Sequence, residues 1–115
     1  MKEIVAIIRS NKWQKTRAAL LAEDFHSYTI HRVYGRGKQK GLMYLSKNGI
    51  LEEGIQFLPK RMVTLFIADE EADRVIEIII QANWTGEIGD GKIFVCPVES
   101  IERIRTGERA EEALV

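Results

Sequence analysis

The order of strand-forming and helix-forming segments limits the fold of this chain more than any other feature. Runs of β-branched and aromatic residues predict four strands, at 3–9, 28–34, 61–68 and 92–98. Apolar residues at helical spacing predict two helices, one from an N-cap at Asn11 to about Asp24 and one at 70–83. The elements therefore follow the order strand, helix, strand, strand, helix, strand.

That order predicts an α+β fold, the ferredoxin-like βαββαβ sandwich. The 115 residues suit a single domain spanning 1–115. Two helices can cover only one face of a four-stranded sheet, and all four predicted strands are rich in apolar residues. We therefore expect the second face to meet another subunit, so that the chain oligomerises through its sheet.

Each predicted helix has one apolar side that is expected to face the sheet. On the first helix this side carries Trp13, Thr16, Ala19 and Leu20. On the second helix it carries Val75, Ile76, Ile79 and Ile80. Residues 101–108 are predicted to form a short strand or turn before a polar tail.

Charge and composition exclude several classes of protein. Lys plus Arg balance Asp plus Glu at 17 each, so no general field would hold the chain on nucleic acid or an anionic membrane. The apolar run at the start is interrupted by Arg9, and no segment is long enough to span a bilayer, which favours a cytoplasmic protein. The single cysteine, Cys96, is interpreted as a buried thiol in a strand.

The stretch TGEIGDGKIFV, residues 85–95, is the most distinctive motif. Three glycines, Gly86, Gly89 and Gly91, precede Lys92 at the start of the last strand. Glycines allow positive φ, so successive N–H groups can form a concave nest for an anion such as phosphate, with Lys92 adding a point charge. The motif is not a P-loop, because no GxxxxGK[ST] precedes a helix. Taken alone, it is also compatible with a tight connection that binds nothing.

Two further clusters combine glycine with cations. RGKQKG, residues 36–41, lies at the base of a long segment, 35–59, which has no sustained period and whose length is typical of a functional or mobile loop. Arg103 and Arg105 are predicted to point to the same side of an extended segment. Three such clusters in a neutral protein favour a polyphosphate ligand over a single phosphate.

At these residues the sequence resembles the PII nitrogen-regulatory signalling proteins. TGEIGDGKIFV, RIRTG, GRGKQKG and FLPK, with MKEIVAIIR at the start, carry the resemblance over essentially the whole chain. It implies a homotrimer that binds ATP or ADP in three clefts between subunits, and 2-oxoglutarate beside Mg-ATP. It also implies a T-loop at about 37–55, a B-loop at about 84–92 and a C-terminal loop at about 103–115.

The resemblance also implies which residues bind each ligand, with Arg103 and Arg105 reaching the phosphates from the adjacent chain. The ATP/ADP set is Thr29, Gly35, Gly37, Lys38, Gln39, Thr64, Gly89, Asp90, Gly91, Lys92, Arg103 and Arg105. The 2-oxoglutarate set is Gln39, Lys40, Gly41 and Lys60, where Lys60 pairs with the distal carboxylate. Gln39 would also ligate Mg²⁺ together with the phosphates and 2-oxoglutarate. Lys38 stands where many members have arginine, which predicts a weaker phosphate contact.

The predicted T-loop departs from the commoner family pattern. Tyr44 and Ser46 stand in surroundings unlike those that modifying enzymes recognise, which argues against covalent control. GRGKQKG and a slightly longer loop are similar to the PII branch that is encoded with nitrogenase and inhibits it. The alternative is a PII protein that regulates an ammonium transporter or an enzyme of glutamine or arginine synthesis. Whether a paralogous subunit joins the trimer stays open.

Two other classes of protein, an RNA-recognition module and an enzyme, fit the sequence less well. An RNA-recognition module would stack bases on aromatic residues of its central strands, whereas EIVAIIR has none and GKIFVCP has only Phe94. An enzyme would need a catalytic set, but the sequence contains no recognisable Ser/His/Asp or Cys/His arrangement. His26 and His31 are interpreted as surface or structural residues. A regulatory protein is therefore predicted rather than an enzyme.

Overall fold

The computed structural model describes residues 1–36, 43–45, 51–53 and 57–114, with only the backbone of the two short segments. Six strands and two α-helices lie within these ranges: β1 Lys2–Arg9, α1 Trp13–Ala22, β2 Thr29–Gly35, β3 Met43–Leu45, β4 Leu51–Glu53, β5 Leu58–Ile67, α2 Ala72–Asn83 and β6 Lys92–Pro97. Short 3₁₀ turns cover Ser10–Lys12, Asp69–Glu71 and Ala110–Leu114.

The main sheet has four antiparallel strands in the order β2-β5-β1-β6. The two helices follow β1 and β5, so the predicted α+β, ferredoxin-like βαββαβ plan is confirmed. A second, two-stranded sheet pairs β3 with β4 within the predicted T-loop. These strands were not predicted, because three-residue strands are too short to show a period in the sequence.

The core lies between the sheet and the two helices. Alternate residues of the central strands are buried toward the helices: Ile4, Ala6 and Ile8 of β1, and Val63, Leu65 and Ile67 of β5. The helices contribute Leu20, Val75, Ile78 and Ile79. Each buried Leu, Ile or Val side chain contributes about 1.5–3 kcal/mol, so this layer holds the sheet and helices together.

The first helix begins later than predicted. Asn11 lies in the 3₁₀ turn, and the N-cap position is taken by Lys12, which makes no side-chain capping bond. The buried Thr16 donates a hydrogen bond to the Lys12 carbonyl (2.8 Å) and accepts one from Asn83 Nδ2 (2.9 Å). The Thr16–Asn83 bond joins the two helices through polar atoms inside an apolar layer.

The set of residues predicted to face the sheet from the second helix is partly wrong. Val75 and Ile79 are buried as expected, and Ile76 packs against the core. Ile80, however, is 49% exposed, and the buried position is Ile78. The helix also starts at Ala72 instead of residue 70, because Asp69–Glu71 form a 3₁₀ turn.

Within the described residues, neither α-helix packs on the second face of the sheet, which we call the open face. The strand register brings to this face Thr29 and His31 of β2, Lys60, Met62, Thr64 and Phe66 of β5, Val5, Ile7 and Arg9 of β1, and Lys92, Phe94 and Cys96 of β6. Phe66 and Phe94 are 42% and 48% exposed in the single chain.

Cys96 is exposed, so the prediction of a buried thiol is wrong for the single chain. Cys96 lies opposite Glu3 on an edge strand, and this register turns it toward the open face. Within the described residues, no helix is long and apolar enough to cross a membrane.

Candidate functional site

The B-loop connects α2 to β6 and lies against the central strand β1. Gly86, Gly89 and Gly91 adopt φ of 84°, 106° and 106°, which L side chains rarely adopt. At Gly91 an added Cβ would lie 1.9 Å from the carbonyl oxygen of Ile7. The predicted positive-φ glycines are therefore present, and Gly91 is also needed for the close approach of loop and strand.

Asp90 holds the B-loop together from inside. Its carboxylate accepts hydrogen bonds from the N–H groups of Thr85 (2.8 Å) and Gly86 (3.0 Å) and from the Thr85 hydroxyl. The bonds from Thr85, then that from Gly86 and the charge of Arg9, lower the pKa of Asp90 below its ordinary value of 3.8. The first two N–H groups of the predicted anion nest are thus occupied by the chain's own carboxylate.

The lowered pKa of Asp90 predicts a loss of stability in acid. Because the folded-state pKa is depressed, the contribution of Asp90 is complete well above pH 3.8 and disappears as the pH falls through the folded-state value. Asp90→Asn should unfold at lower urea concentration than wild type at pH 7, and the difference should shrink toward pH 2.5. Glu87→Gln, an exposed substitution in the same loop, serves as the control. A difference between wild type and Asp90→Asn that stays constant over this range would contradict the assignment.

Two cations converge on one carbonyl of the B-loop. Arg9 Nε and Lys60 Nζ donate to the Gly89 oxygen at 3.2 and 2.9 Å, and an Arg9 Nη donates to the Ile88 oxygen at 3.1 Å. Arg9 and Lys60 lie directly opposite each other on β1 and β5, where like charges repel. Burial, then the charge of Arg9, lowers the pKa of Lys60. Arg9 Nη also contacts the Asp90 carboxylate at 3.5 Å, and the charge of Asp90 acts in the opposite direction on the pKa of Lys60. Two cations beside one carboxylate leave a net positive charge here, which favours an anionic group.

Lys92 lies next to this pair at the start of β6. It pairs with Ile7 in the register of β1 and β6, which puts it on the open face, two residues along β1 from the Arg9 position. We call Arg9, Lys60 and Lys92 the cation cluster. Lys60 and Lys92 were predicted from the sequence, but Arg9 was not. Extending the predicted strand 61–68 back to residue 60 and pairing that residue with residue 9 would have found it.

A second group of predicted residues lines a cleft of about 460 Å³ at the other side of the open face. Thr29 and Thr64, which are direct partners on β2 and β5, form its floor together with Phe66. Ile101 and Arg103 from the C-terminal segment also line it, as do Ala113 and Leu114. We call this space the C-terminal cleft.

Residues 101–108 were predicted as a short strand or turn, and the structure contains the turn. Residues 104–106 form a turn, closed by the Gly107 N–H donating to the Arg103 carbonyl at 2.7 Å, with Gly107 at φ 74°. Arg103 lines the cleft, whereas Arg105 is exposed and is not among the lining residues. The expectation that both arginines share one side of an extended segment is therefore wrong.

The cation cluster and the C-terminal cleft are separated within one chain. Thr29 lies on one edge strand, β2, and Lys92 on the other, β6, which puts them about 14 Å apart across the sheet at the usual strand spacing. The strip between them carries the apolar side chains of Val5, Ile7 and Met62. One chain thus presents two separate groups of predicted site residues.

Several predicted site residues lie outside the described residues: Gly37, Lys38, Gln39, Lys40, Gly41 and Ser46. Of Tyr44, only the backbone in β3 is described. Gly35, at the end of β2, lies beside Lys60: a Cβ added to Gly35 would be 3.5 Å from Lys60 Cγ. Among the side chains that the structure describes, no group of three or more His, Cys, Asp or Glu residues could hold a metal ion.

The fold and the loop define a ferredoxin-like protein in which a glycine-rich loop lies beside a cluster of cations. The family model for nitrogen regulatory protein P-II matches residues 1–108, and the chain belongs to this family. It is 48% identical to the nitrogen fixation nifHD region GlnB-like protein 2 of Methanobacterium ivanovii, with 100% of both chains covered. It is 45% identical to the protein of the same name from Methanococcus maripaludis, covering 99% of this chain and 100% of the relative.

A solved structure also supports membership of this family. The crystal structure of Arabidopsis thaliana PII bound to citrate has a TM-score of 0.77 and 35% sequence identity, and covers 97% of this chain and 90% of that chain. The predicted family is confirmed, and the nifHD-region names support the nitrogenase-associated branch. PII proteins are regulatory signalling proteins that bind small effector ligands, form trimers and act on target proteins.

Proposed function

We propose that this protein senses ATP or ADP together with 2-oxoglutarate and uses its T-loop to regulate a target protein. The observation that carries this proposal is the convergence of Arg9 and Lys60 on the Gly89 carbonyl of the B-loop. Two cations beside a glycine-rich loop can bind an anionic ligand, because phosphate and carboxylate groups accept strong charge-assisted hydrogen bonds from Arg and Lys.

The nucleotide would be shared between subunits of a homotrimer. The B-loop residues Gly89, Asp90 and Gly91, with Lys92, would bind the phosphates on one subunit. The C-terminal cleft of the neighbour, with Thr29, Thr64 and Arg103, would complete the site. The volume of the cleft, about 460 Å³, and its mixed apolar and polar lining support a nucleoside group there. The exposed Phe66 and Phe94 on the open face support burial of this face between subunits.

The second ligand would be 2-oxoglutarate, with its distal carboxylate at Lys60 and Arg9. In the single chain these two cations share the Gly89 carbonyl oxygen, and Arg9 also contacts a carboxylate, that of Asp90 at 3.5 Å. A carboxylate ligand would add the second negative charge. A relative of 35% identity binds citrate, which is also a polycarboxylate, and this supports an organic acid as ligand.

The Mg²⁺ ion would depend on the ligands' own oxygens. Because no acidic or histidine cluster exists among the described side chains, Gln39, the ATP phosphates and 2-oxoglutarate would have to supply the oxygen ligands that Mg²⁺ prefers. Mg²⁺ would thereby join the two effectors.

The names of the relatives support nitrogenase as the target, since two of them belong to the nifHD region. An ammonium transporter and enzymes such as glutamine synthetase are the alternatives within the same family function. We place the protein in the cytoplasm, where both proposed effectors are metabolites, and assign it a regulatory rather than a catalytic role.

Calorimetric titration of 2-oxoglutarate tests this proposal. We expect binding in the presence of Mg-ATP and little or none with Mg-ADP or without nucleotide, because the metal that would link the two ligands is poorly held without the γ-phosphate. By linkage, 2-oxoglutarate should tighten ATP by the same factor. Lys60→Ala should weaken 2-oxoglutarate roughly 10- to 150-fold, the loss of one charge-assisted bond. Lys15→Ala, at an exposed position of α1, should change neither affinity. Equal binding of 2-oxoglutarate with ATP, with ADP and with no nucleotide would refute the proposal.

A further inference from the structure

The arginine that lines the C-terminal cleft is engaged by the chain's own tail. Arg103 Nη1 contacts Glu108 Oε1 at 2.8 Å, and Nη2 donates to the Glu112 carbonyl at 3.4 Å. The Arg103 N–H donates to the Glu108 carbonyl, also at 2.8 Å. The Arg103 and Glu108 side chains are 24% and 37% exposed, so this pair is partly shielded from water.

Glu108 is itself held in place. The Thr106 hydroxyl donates to Glu108 Oε1 at 2.7 Å, and the Glu108 N–H donates to Thr106 Oγ1 at 3.2 Å. The hydrogen bond from Thr106, together with Arg103, lowers the pKa of Glu108, so its carboxylate is charged at neutral pH. The turn thus presents a fixed negative charge to the guanidinium.

The same tail closes one side of the cleft. After Glu108 the chain forms the 3₁₀ turn Ala110–Leu114, and Ala113 and Leu114 line the cleft together with Thr29 and Thr64. The Glu108 carboxylate and the cleft therefore meet at Arg103. A phosphate at Arg103 would therefore meet an oxygen anion already in contact with the guanidinium.

We propose that Glu108 is a specificity-determining residue of the nucleotide cleft, because its carboxylate occupies the position on Arg103 that a phosphate would take. This inference rests on the proposed nucleotide function and deepens it. Glu108 lowers the affinity of every adenine nucleotide whose phosphate pairs with Arg103, while leaving the affinity for adenosine, which has no phosphate, unchanged. The cleft thereby requires a ligand charged strongly enough to displace Glu108.

Titration of ATP and adenosine into the protein, wild type and Glu108→Gln, tests the inference. Glutamine keeps the size of the side chain and an oxygen for the Thr106 hydroxyl, but removes the charge. We expect Glu108→Gln to bind ATP 3- to 10-fold more tightly and adenosine within twofold of wild type. Glu112→Gln is the matched control: it removes one charge from the same tail, yet the contact of Glu112 with Arg103 uses the main-chain carbonyl. Its ATP affinity should stay within twofold of wild type.

A double-mutant cycle separates competition from other causes. Arg103→Ala should weaken ATP binding, and Glu108→Gln should add no tightening in the Arg103→Ala background. Weaker or unchanged ATP binding by Glu108→Gln overturns the inference, and so does tightening that persists without Arg103 or that appears equally for adenosine. If wild type binds ATP and Glu108→Gln matches it, only this inference fails; if wild type binds no ATP, the proposed function fails as well.

Discussion

Gly91→Ala is expected to lower the free energy of unfolding by about 3–5 kcal/mol, the range reached by severe overpacking combined with backbone strain. The added Cβ would lie 1.9 Å from the Ile7 carbonyl oxygen, and the residue would have to keep φ near 106°. β1 cannot move away easily, because Ile7 pairs with Met62 on one side and with Lys92 on the other. The B-loop would have to detach from the sheet instead.

Gly107→Ala is the matched control for this substitution. Gly107 also has positive φ, 74°, but an added Cβ would meet nothing within 4 Å. Its expected cost is about 1–2 kcal/mol, the cost of left-handed backbone for an alanine. Urea denaturation of wild type and both variants measures the two losses in the free energy of unfolding. Equal losses would mean that the steric contact between the B-loop and β1 contributes nothing beyond backbone strain.

The order of the main elements could be predicted from the sequence, and local physics explains why. The central strands have apolar residues at alternate positions, facing the helices. These strands are therefore recognisable in the sequence as β-branched runs such as EIVAIIR. Helix starts were less predictable: Asn11 is a good capping residue type, yet the chain makes a 3₁₀ turn there first. Ile80 was predicted to face the sheet in place of Ile78, because residues 78–80 are all isoleucine and spacing alone does not separate them.

The candidate site was predictable where one short motif contains it. The B-loop glycines and Lys92 lie within TGEIGDGKIFV, and positive φ at three of its glycines follows from the motif. Arg9 was missed because its partners, Gly89 and Lys60, come from distant segments that only the strand register brings together. The predictions that Cys96 is buried and that Arg103 and Arg105 share one side were wrong for the same reason: a single segment does not reveal which face of the sheet a residue lies on, or which groups it contacts.

The separation of the cation cluster from the C-terminal cleft leads to the second large prediction, which concerns the ATP sites of the proposed trimer. Lys92→Ala and Arg103→Ala should each weaken ATP binding roughly 10- to 150-fold, since each would lose a charge-assisted hydrogen bond worth about 1.5–3 kcal/mol. Either variant alone should therefore have no site of wild-type affinity.

Refolding the two variants together in equal amounts should restore a fraction of the sites. If each cleft takes Lys92 from one subunit and Arg103 from its neighbour, and closed trimers assemble at random, about one cleft in four contains both residues. Calorimetry should then resolve a minor class of sites with wild-type affinity, at about one quarter of the total. The separately refolded variants, mixed only after assembly, are the control and should lack this class. If the co-refolded sample also lacks it, both residues act within one chain, and the apolar strip of Val5, Ile7 and Met62 that separates them would have to lie beneath the nucleotide.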